Sequence, residues 1–261
     1  MLEVIDKGSA TEAHPVPLLF VHGAWHGAWC WDEHFLDFFA DQGFRALAVS
    51  LRGHGGSSAS KPIRFVSLAD YVEDVVTVAE SMPTPPVVIG HSSGGSLVQK
   101  YLETQQAPAG VLLASTPPRG NTAYNMRWLK RHPWHFMTAA ITGKTLHRVN
   151  TPELAREKFF SIHTPEADVV RHAGRLQEDS RRAGLDSPRF TRNSPKHVTT
   201  PLLVLGAGCD RMLIPREVHE TARAYGTEAE FFPNMGHSMM LEPGWQAVAE
   251  RIVGWLTGRG L

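Results

Sequence analysis

With 261 residues, 42% of them hydrophobic and 20% charged, the chain is long enough to bury one sizeable core and carry an inserted segment. Lys+Arg and Asp+Glu balance at 26 each, which argues against nucleic-acid or membrane-surface partners, and two cysteines make no disulfide framework. The first fifteen residues lack the apolar core of a signal peptide and no run is long enough to span a bilayer, so a soluble, cytoplasmic protein is expected.

Taken in order, Leu2–Asp6 reads as a short strand and Pro17–His22 as a buried one that stops at Gly23. The loop His22-Gly23-Ala24-Trp25-His26-Gly27-Ala28-Trp29 follows, then a helical pattern through Phe35, Leu36, Phe38 and Phe39 to Gly43. Phe44–Ser50 is the next strand, running into the glycine-rich turn Arg52-Gly53-His54-Gly55-Gly56-Ser57. Ser67 is placed to cap a helix carrying Leu68, Tyr71, Val72, Val75, Val76 and Ala79 on one side. Pro83, Pro85 and Pro86 end that helix and deliver the chain to the strand Val87-Val88-Ile89. A helix from Ser96 and a buried strand Gly110–Ser115 complete this half.

Strands and helices that alternate, with unbroken apolar runs in the strands, predict a mostly parallel α/β sheet of about seven or eight strands covered on both faces. The rhythm breaks at Pro117 and resumes at Pro201–Gly206, with a helix from about Arg216, a strand over Glu228–Phe232 and a closing helix from Trp245. The expected division is a core of residues 1–116 and 198–261 with a helical lid, 117–197, inserted before the last two strands.

The stretch carrying chemistry is Gly90-His91-Ser92-Ser93-Gly94, set between a strand and a helix. A nucleophilic serine at the apex of such a turn needs small neighbours at Gly90 and Gly94, and its hydroxyl lies near a helix N-terminus that favours developing negative charge. A serine hydroxyl is a poor nucleophile at neutral pH and needs a base that a third group orients. Asp210 follows the strand ending at Gly206, and His237 follows the last strand, so both fall at the sheet edge where Ser92 lies. The assignment is Ser92 as nucleophile, His237 as base then acid, and Asp210 as the group that fixes the imidazole, with Asp179 and Asp186 as rivals for the acid. No histidine pair has carboxylate or cysteine partners at ligand spacing, so neither metal nor cofactor is expected. Cys209 reads as a buried small hydrophobe, and Arg171, Arg175, Arg181 and Arg182 as a solvated helix face.

With His22-Gly23, the turn at 52–57, Gly90–Gly94, Asp210 and Gly236-His237 in place, the chain resembles the α/β-hydrolase family over nearly its whole length outside the insert. That resemblance implies an oxyanion hole made by the backbone N–H groups of Ala24 and Ser93, matching the need for two amide donors at the developing charge. The loop from His22 to Trp31 is similar to that of the plant methylesterase and hydroxynitrile lyase branch. The lyases carry lysine after the catalytic histidine; Ser238 stands there in this chain, which favours an esterase.

The expected reaction is therefore hydrolysis of a small hydrophobic ester through an acyl-enzyme on Ser92, by a monomer or homodimer. An aromatic insert implies an apolar pocket, with Trp25, Trp128, Trp134, Phe136 and Phe159 as its expected lining. Carbon–carbon bond hydrolysis and ligand reception with little turnover are the alternatives that the same resemblance allows.

Overall fold

Val87–His91 (β4) is buried along its whole length, as a strand covered on both faces must be, and the sheet is assembled around it. A computed structural model describes residues 1–192 and 194–261. Leu18–Val21 (β2) flanks β4 on one side and Gly110–Leu113 (β5) flanks it on the other, both in parallel register. Ala46–Ser50 (β3) extends the sheet beyond β2, and Leu202–Ala207 (β6) then Ala229–Phe232 (β7) extend it beyond β5. Glu3–Lys7 (β1) closes the β3 edge as the one antiparallel strand among the described residues. The order is β1-β3-β2-β4-β5-β6-β7, seven strands as expected.

Alternate residues of β4 go to opposite layers. Val87 and Ile89 join a core with Phe20, Trp31, Phe35 and Phe39, covered by helices Trp29–Asp32 (α1), Phe35–Asp41 (α2) and Trp245–Thr257 (α11). Val88 joins Leu19, Val21 and Leu112 under Leu68–Glu80 (α3), Ser93–Tyr101 (α4) and Pro215–Ala224 (α10). Each fully buried aromatic or branched side chain in these layers contributes about 1.5–3 kcal/mol of transfer free energy. Helix α3 starts where Ser67 predicts: its hydroxyl accepts from the Asp70 amide at 3.1 Å, and the Asp70 carboxylate accepts from the Ser67 amide at 2.6 Å. From the same helix Asp74 accepts from the amide and Nε of Arg52, which fixes the turn after β3.

Between β5 and β6 the described residues form helices only: Thr122–Arg131 (α5), Pro133–Thr142 (α6), Pro152–Phe159 (α7), Glu166–Ala173 (α8) and Arg181–Phe190 (α9), with short 3₁₀ turns at Thr145–Arg148 and Ser194–Lys196. This is the helical insertion before the last two strands. No helix of the described residues is long and apolar enough to cross a membrane.

Three expectations are corrected. Trp29, Cys30 and Trp31 are the buried opening of helix α1 rather than the end of the loop from His22. Cys209 is exposed, its thiol donating to the Pro233 carbonyl at 3.3 Å, because the turn after β6 carries it outward. Arg171 and Arg175 do not face solvent alone: both ion-pair with Glu33, and Arg175 lies 4.3 Å from the Trp29 ring centroid, so they fasten the insert to α1.

Candidate active site

Strand β4 ends at His91, and Ser92 follows with φ 53° and ψ −119°, a conformation that costs an L-residue free energy and is held only where the surroundings enforce it. What enforces it is close packing. A Cβ on Gly90 would come within 2.5 Å of the Gly94 carbonyl oxygen, and one on Gly94 would overlap the carbonyls of Val21 and His22. The turn is also tied to the next strand, with the Ser92 amide donating to the Leu113 carbonyl at 3.1 Å and the Thr116 amide donating to the Ser92 carbonyl at 3.0 Å. Helix α4 then begins at Ser93, so its unpaired first amides sit beside the Ser92 side chain.

His237 and Asp210 meet across 27 residues of sequence. Nδ1 of His237 lies 2.7 Å from Oδ2 of Asp210, and both side chains are buried. The other Asp210 oxygen accepts from the amides of Met212 at 2.7 Å and Leu213 at 3.0 Å, which fixes the carboxylate plane. The remaining ring nitrogen of His237, Nε2, is buried without a hydrogen-bond partner among the described residues. Of the rival acids, Asp186 pairs with Arg182 at 2.8 Å on the surface. Asp179 has a different task. Its Oδ2 accepts from the Trp25 amide at 3.1 Å, while Oδ1 accepts from Tyr71 at 3.2 Å. Burial pushes the Asp179 carboxyl above the usual range.

Trp25 is thereby held at three points. Besides Asp179, its indole N–H donates to the Thr145 hydroxyl at 3.2 Å, and its carbonyl accepts from the Gln177 amide at 2.9 Å. These contacts keep Trp25 at φ 65° and set the direction of the preceding residue, Ala24. The amides of Ala24 and Ser93 donate to no group among the described residues, and both residues line the cavity that Ser92 enters.

That cavity encloses about 390 Å³ between the sheet edge and the insert. Trp25 and Phe136 line it as expected. Trp128 and Phe159 are buried just behind: Phe159 lies 6.3 Å from the His237 ring, and Trp128 packs on the Lys158 side chain. Trp134 is 77% exposed and plays no part in the lining, since α6 turns its N-terminal end to solvent.

Two further residues position His237. The fully buried His91 donates from Nε2 to the His237 carbonyl at 3.0 Å. Burial and the neighbouring His237 hold the His91 pKa well below its ordinary value, so it stays neutral, and the bond puts its proton on Nε2. Glu242, also buried, accepts from the Ser161 amide at 2.7 Å, from the Ser161 hydroxyl at 2.6 Å and from the Thr164 hydroxyl at 2.8 Å, locking the turn after His237 to the insert. Replacing His91 with phenylalanine keeps the volume and removes the bond. The expected result is a loss of about 1–3 kcal/mol in urea unfolding and a roughly tenfold fall in kcat with KM little changed.

The matched family model, described as the alpha/beta hydrolase family, spans residues 18–251. A monoacylglycerol lipase of Mycolicibacterium smegmatis is 25% identical over 241 residues, 86% of this chain and 82% of that protein. A pFDCC methylesterase of Arabidopsis thaliana is 27% identical over 216 residues, 78% of this chain and 81% of its own. Among solved structures, a bromoperoxidase from Bacillus anthracis superposes with a TM-score of 0.76 at 16% identity, covering 98% of this chain and 94% of its own. With a family model across most of its length and the seven-stranded sheet to match, the chain belongs to the alpha/beta hydrolase family.

Proposed function

We propose that the protein is a serine hydrolase that cleaves a carboxylic ester of a small, largely apolar substrate through an acyl-enzyme on Ser92. The observation that carries this reading is the strained turn presenting Ser92 to the cavity, tied through the preceding His91 to His237, which is itself paired with the buried Asp210. Similarity to a lipase and a methylesterase supports the ester as the bond attacked.

In the reaction, Ser92 Oγ attacks the ester carbonyl and His237 Nε2 takes its proton. Asp210 holds the proton on Nδ1 and offsets the charge that the imidazolium acquires. The negative charge on the former carbonyl oxygen falls to the amides of Ala24 and Ser93, preorganised and without other acceptors. His237 then protonates the departing alkoxide, which leaves as alcohol. Water repeats the sequence against the acyl-enzyme, releasing the acid and restoring Ser92. The bond between Ser92 Oγ and His237 Nε2 forms with substrate in place, since catalytic hydrogen bonds commonly tighten in the complex.

The test is labelling with a fluorophosphonate, mapping of the adduct by peptide mass spectrometry, and turnover of a short-chain aryl ester. Adduct on Ser92 with turnover supports the reading. No adduct on Ser92 in folded protein that the probe can enter overturns it. Asp210→Asn keeps the volume but no longer enforces the required tautomer; kcat should fall by on the order of 10⁴ with the fold unchanged by circular dichroism.

A further inference from the structure

The cavity has a cationic end that ester hydrolysis alone does not use. Arg148, at the end of the Thr145–Arg148 turn, lines the same cavity as Ser92. Its guanidinium lies among aromatic rings, 5.3 Å from the Phe136 centroid and 5.7 Å from that of Trp25. Part-buried arginines such as Arg127 and Arg251 hold carboxylates, Arg127 holding Glu217 at 2.6 Å and Arg251 holding Glu230 at 2.6 Å. Arg148 has no carboxylate partner among the described residues. Its one side-chain hydrogen bond runs from Nη2 to Asn125 Oδ1 at 2.9 Å, and its Nε is buried without a partner.

Two cavity-lining neighbours carry orphaned polar atoms as well: the Tyr124 hydroxyl and Asn121 Oδ1 are both buried and have no hydrogen-bond partner among the described residues. Buried polar groups are ordinarily satisfied, and each one left unpaired costs free energy that an occupant of the cavity can return. A guanidinium edge and a phenol are donors that suit a carboxylate, and the guanidinium fork matches its two oxygens. The nearest carboxylates have donors of their own: Glu178 accepts from the Thr145 hydroxyl at 2.7 Å and the Leu146 amide at 3.2 Å on the turn that carries Arg148. Lys158, fully buried against Trp25 and Trp128, donates to the Arg148 carbonyl at 3.3 Å, and burial together with Arg148 pulls its pKa well below the ordinary value, so the positive field rests on Arg148. Asp179, across Trp25, already accepts from the Trp25 amide and the Tyr71 hydroxyl.

We propose that Arg148 determines specificity at this site and that the preferred substrates are small esters carrying a free carboxylate, with an apolar body along Trp25 and Phe136. The proposal rests on the hydrolase reading above and adds a charge requirement to it. Recognition by a semi-buried guanidinium should favour the charged ester by about tenfold to a hundredfold in kcat/KM over a neutral isostere.

The experiment compares two ester panels. In the first, aryl hemiesters of linear dicarboxylic acids are matched with aryl esters of linear monocarboxylic acids of equal length. In the second, 4-acyloxybenzoates are matched with their benzoate methyl esters, which moves the carboxylate to the alcohol side. The expected result is a preference for the carboxylate substrate in at least one panel. Arg148→Gln should collapse that ratio by about tenfold or more, and Arg148→Lys should retain part of it, since charge persists without the fork. Neutral esters preferred at every length in both panels would overturn the proposal, whether or not any variant folds. So would an Arg148→Gln enzyme in which both members of each pair slow equally, which would make the guanidinium a packing element against the aromatic rings. Absence of all turnover together with an unlabelled Ser92 would instead defeat the hydrolase reading beneath it.

Discussion

Alanine in place of Ser92 should lower ester turnover by on the order of 10⁴ to 10⁶, measured as kcat on an aryl ester, and abolish fluorophosphonate labelling. The substitution deletes one hydroxyl facing the cavity and opens no void in either core layer, so the unfolding midpoint should hardly move. Glycine at the same position makes a sharper statement. Residue 92 sits at φ 53° and ψ −119°, where glycine is at ease and an L-residue is strained. Ser92→Gly should therefore be as inactive as the alanine variant yet more stable, by about 1 kcal/mol, or roughly 2–4 °C in a protein of this size. Equal stability of the glycine and alanine variants would show that the turn stores no strain. The three non-glycine residues with positive φ among those described are Trp25, Ser92 and Ala114. Ser92 is the candidate nucleophile, Trp25 follows the amide expected to stabilise its oxyanion, and Ala114 precedes Ser115, against which Gly95 packs. Strain gathered in one place, beside a cavity, is what a stability cost accepted for activity looks like.

How far the sequence reaches depends on whether a residue's setting is local. The seven strands, the elbow at Ser92 and the positions of Asp210 and His237 all follow from runs of a few residues whose pattern and punctuation are self-contained. The Ser67 cap is the same kind of feature, complete within four residues. What escaped is set by contacts distant in sequence. His91 looks like a turn residue until the fold brings the His237 carbonyl, 146 residues away, to its Nε2. Asp179 is as plausible a triad acid by residue type as Asp210. Only packing of the insert shows that it takes the Trp25 amide, 154 residues distant, and leaves His237 alone. The lining of the cavity was legible in part for the same reason: Trp25 and Phe136 face it, whereas Trp134, two residues from Phe136, points to solvent. Helical phase within α6 was readable in principle, but the face that docks is decided by α5 and the Thr145–Arg148 turn.

Mild acid should destabilise this protein through its buried histidines. His22, His26 and His54 are buried around the oxyanion loop, and burial pushes the pKa of His22 and His26 down to about 3 and that of His54 down to about 4, from 6.5. Their neutral rings are in use, His22 Nε2 accepting from the Leu51 amide at 3.0 Å. A folded-state pKa below the unfolded one means that the unfolded chain binds more protons, so stability falls as pH drops. The contribution is complete above about pH 6.5 and drains away as pH falls through the window down to about 3. Between pH 6.5 and 5 a single such histidine costs roughly 2 kcal/mol, at 1.36 kcal/mol per pH unit. The three rings lie close enough to repel one another once charged, so they do not add freely. Asp179 acts in the opposite sense: its carboxyl is raised by burial, so protonating it as pH falls relieves a cost and offsets part of the histidine loss. Calorimetry at pH 7.5 and pH 5.0 should thus show the unfolding midpoint drop by at least about 5 °C, equivalent to one histidine's share at 2–4 °C per kcal/mol. A midpoint unchanged across that interval would mean these rings take up protons freely in the folded state, and the packing around the oxyanion loop would then have to be far looser than its buried contacts require.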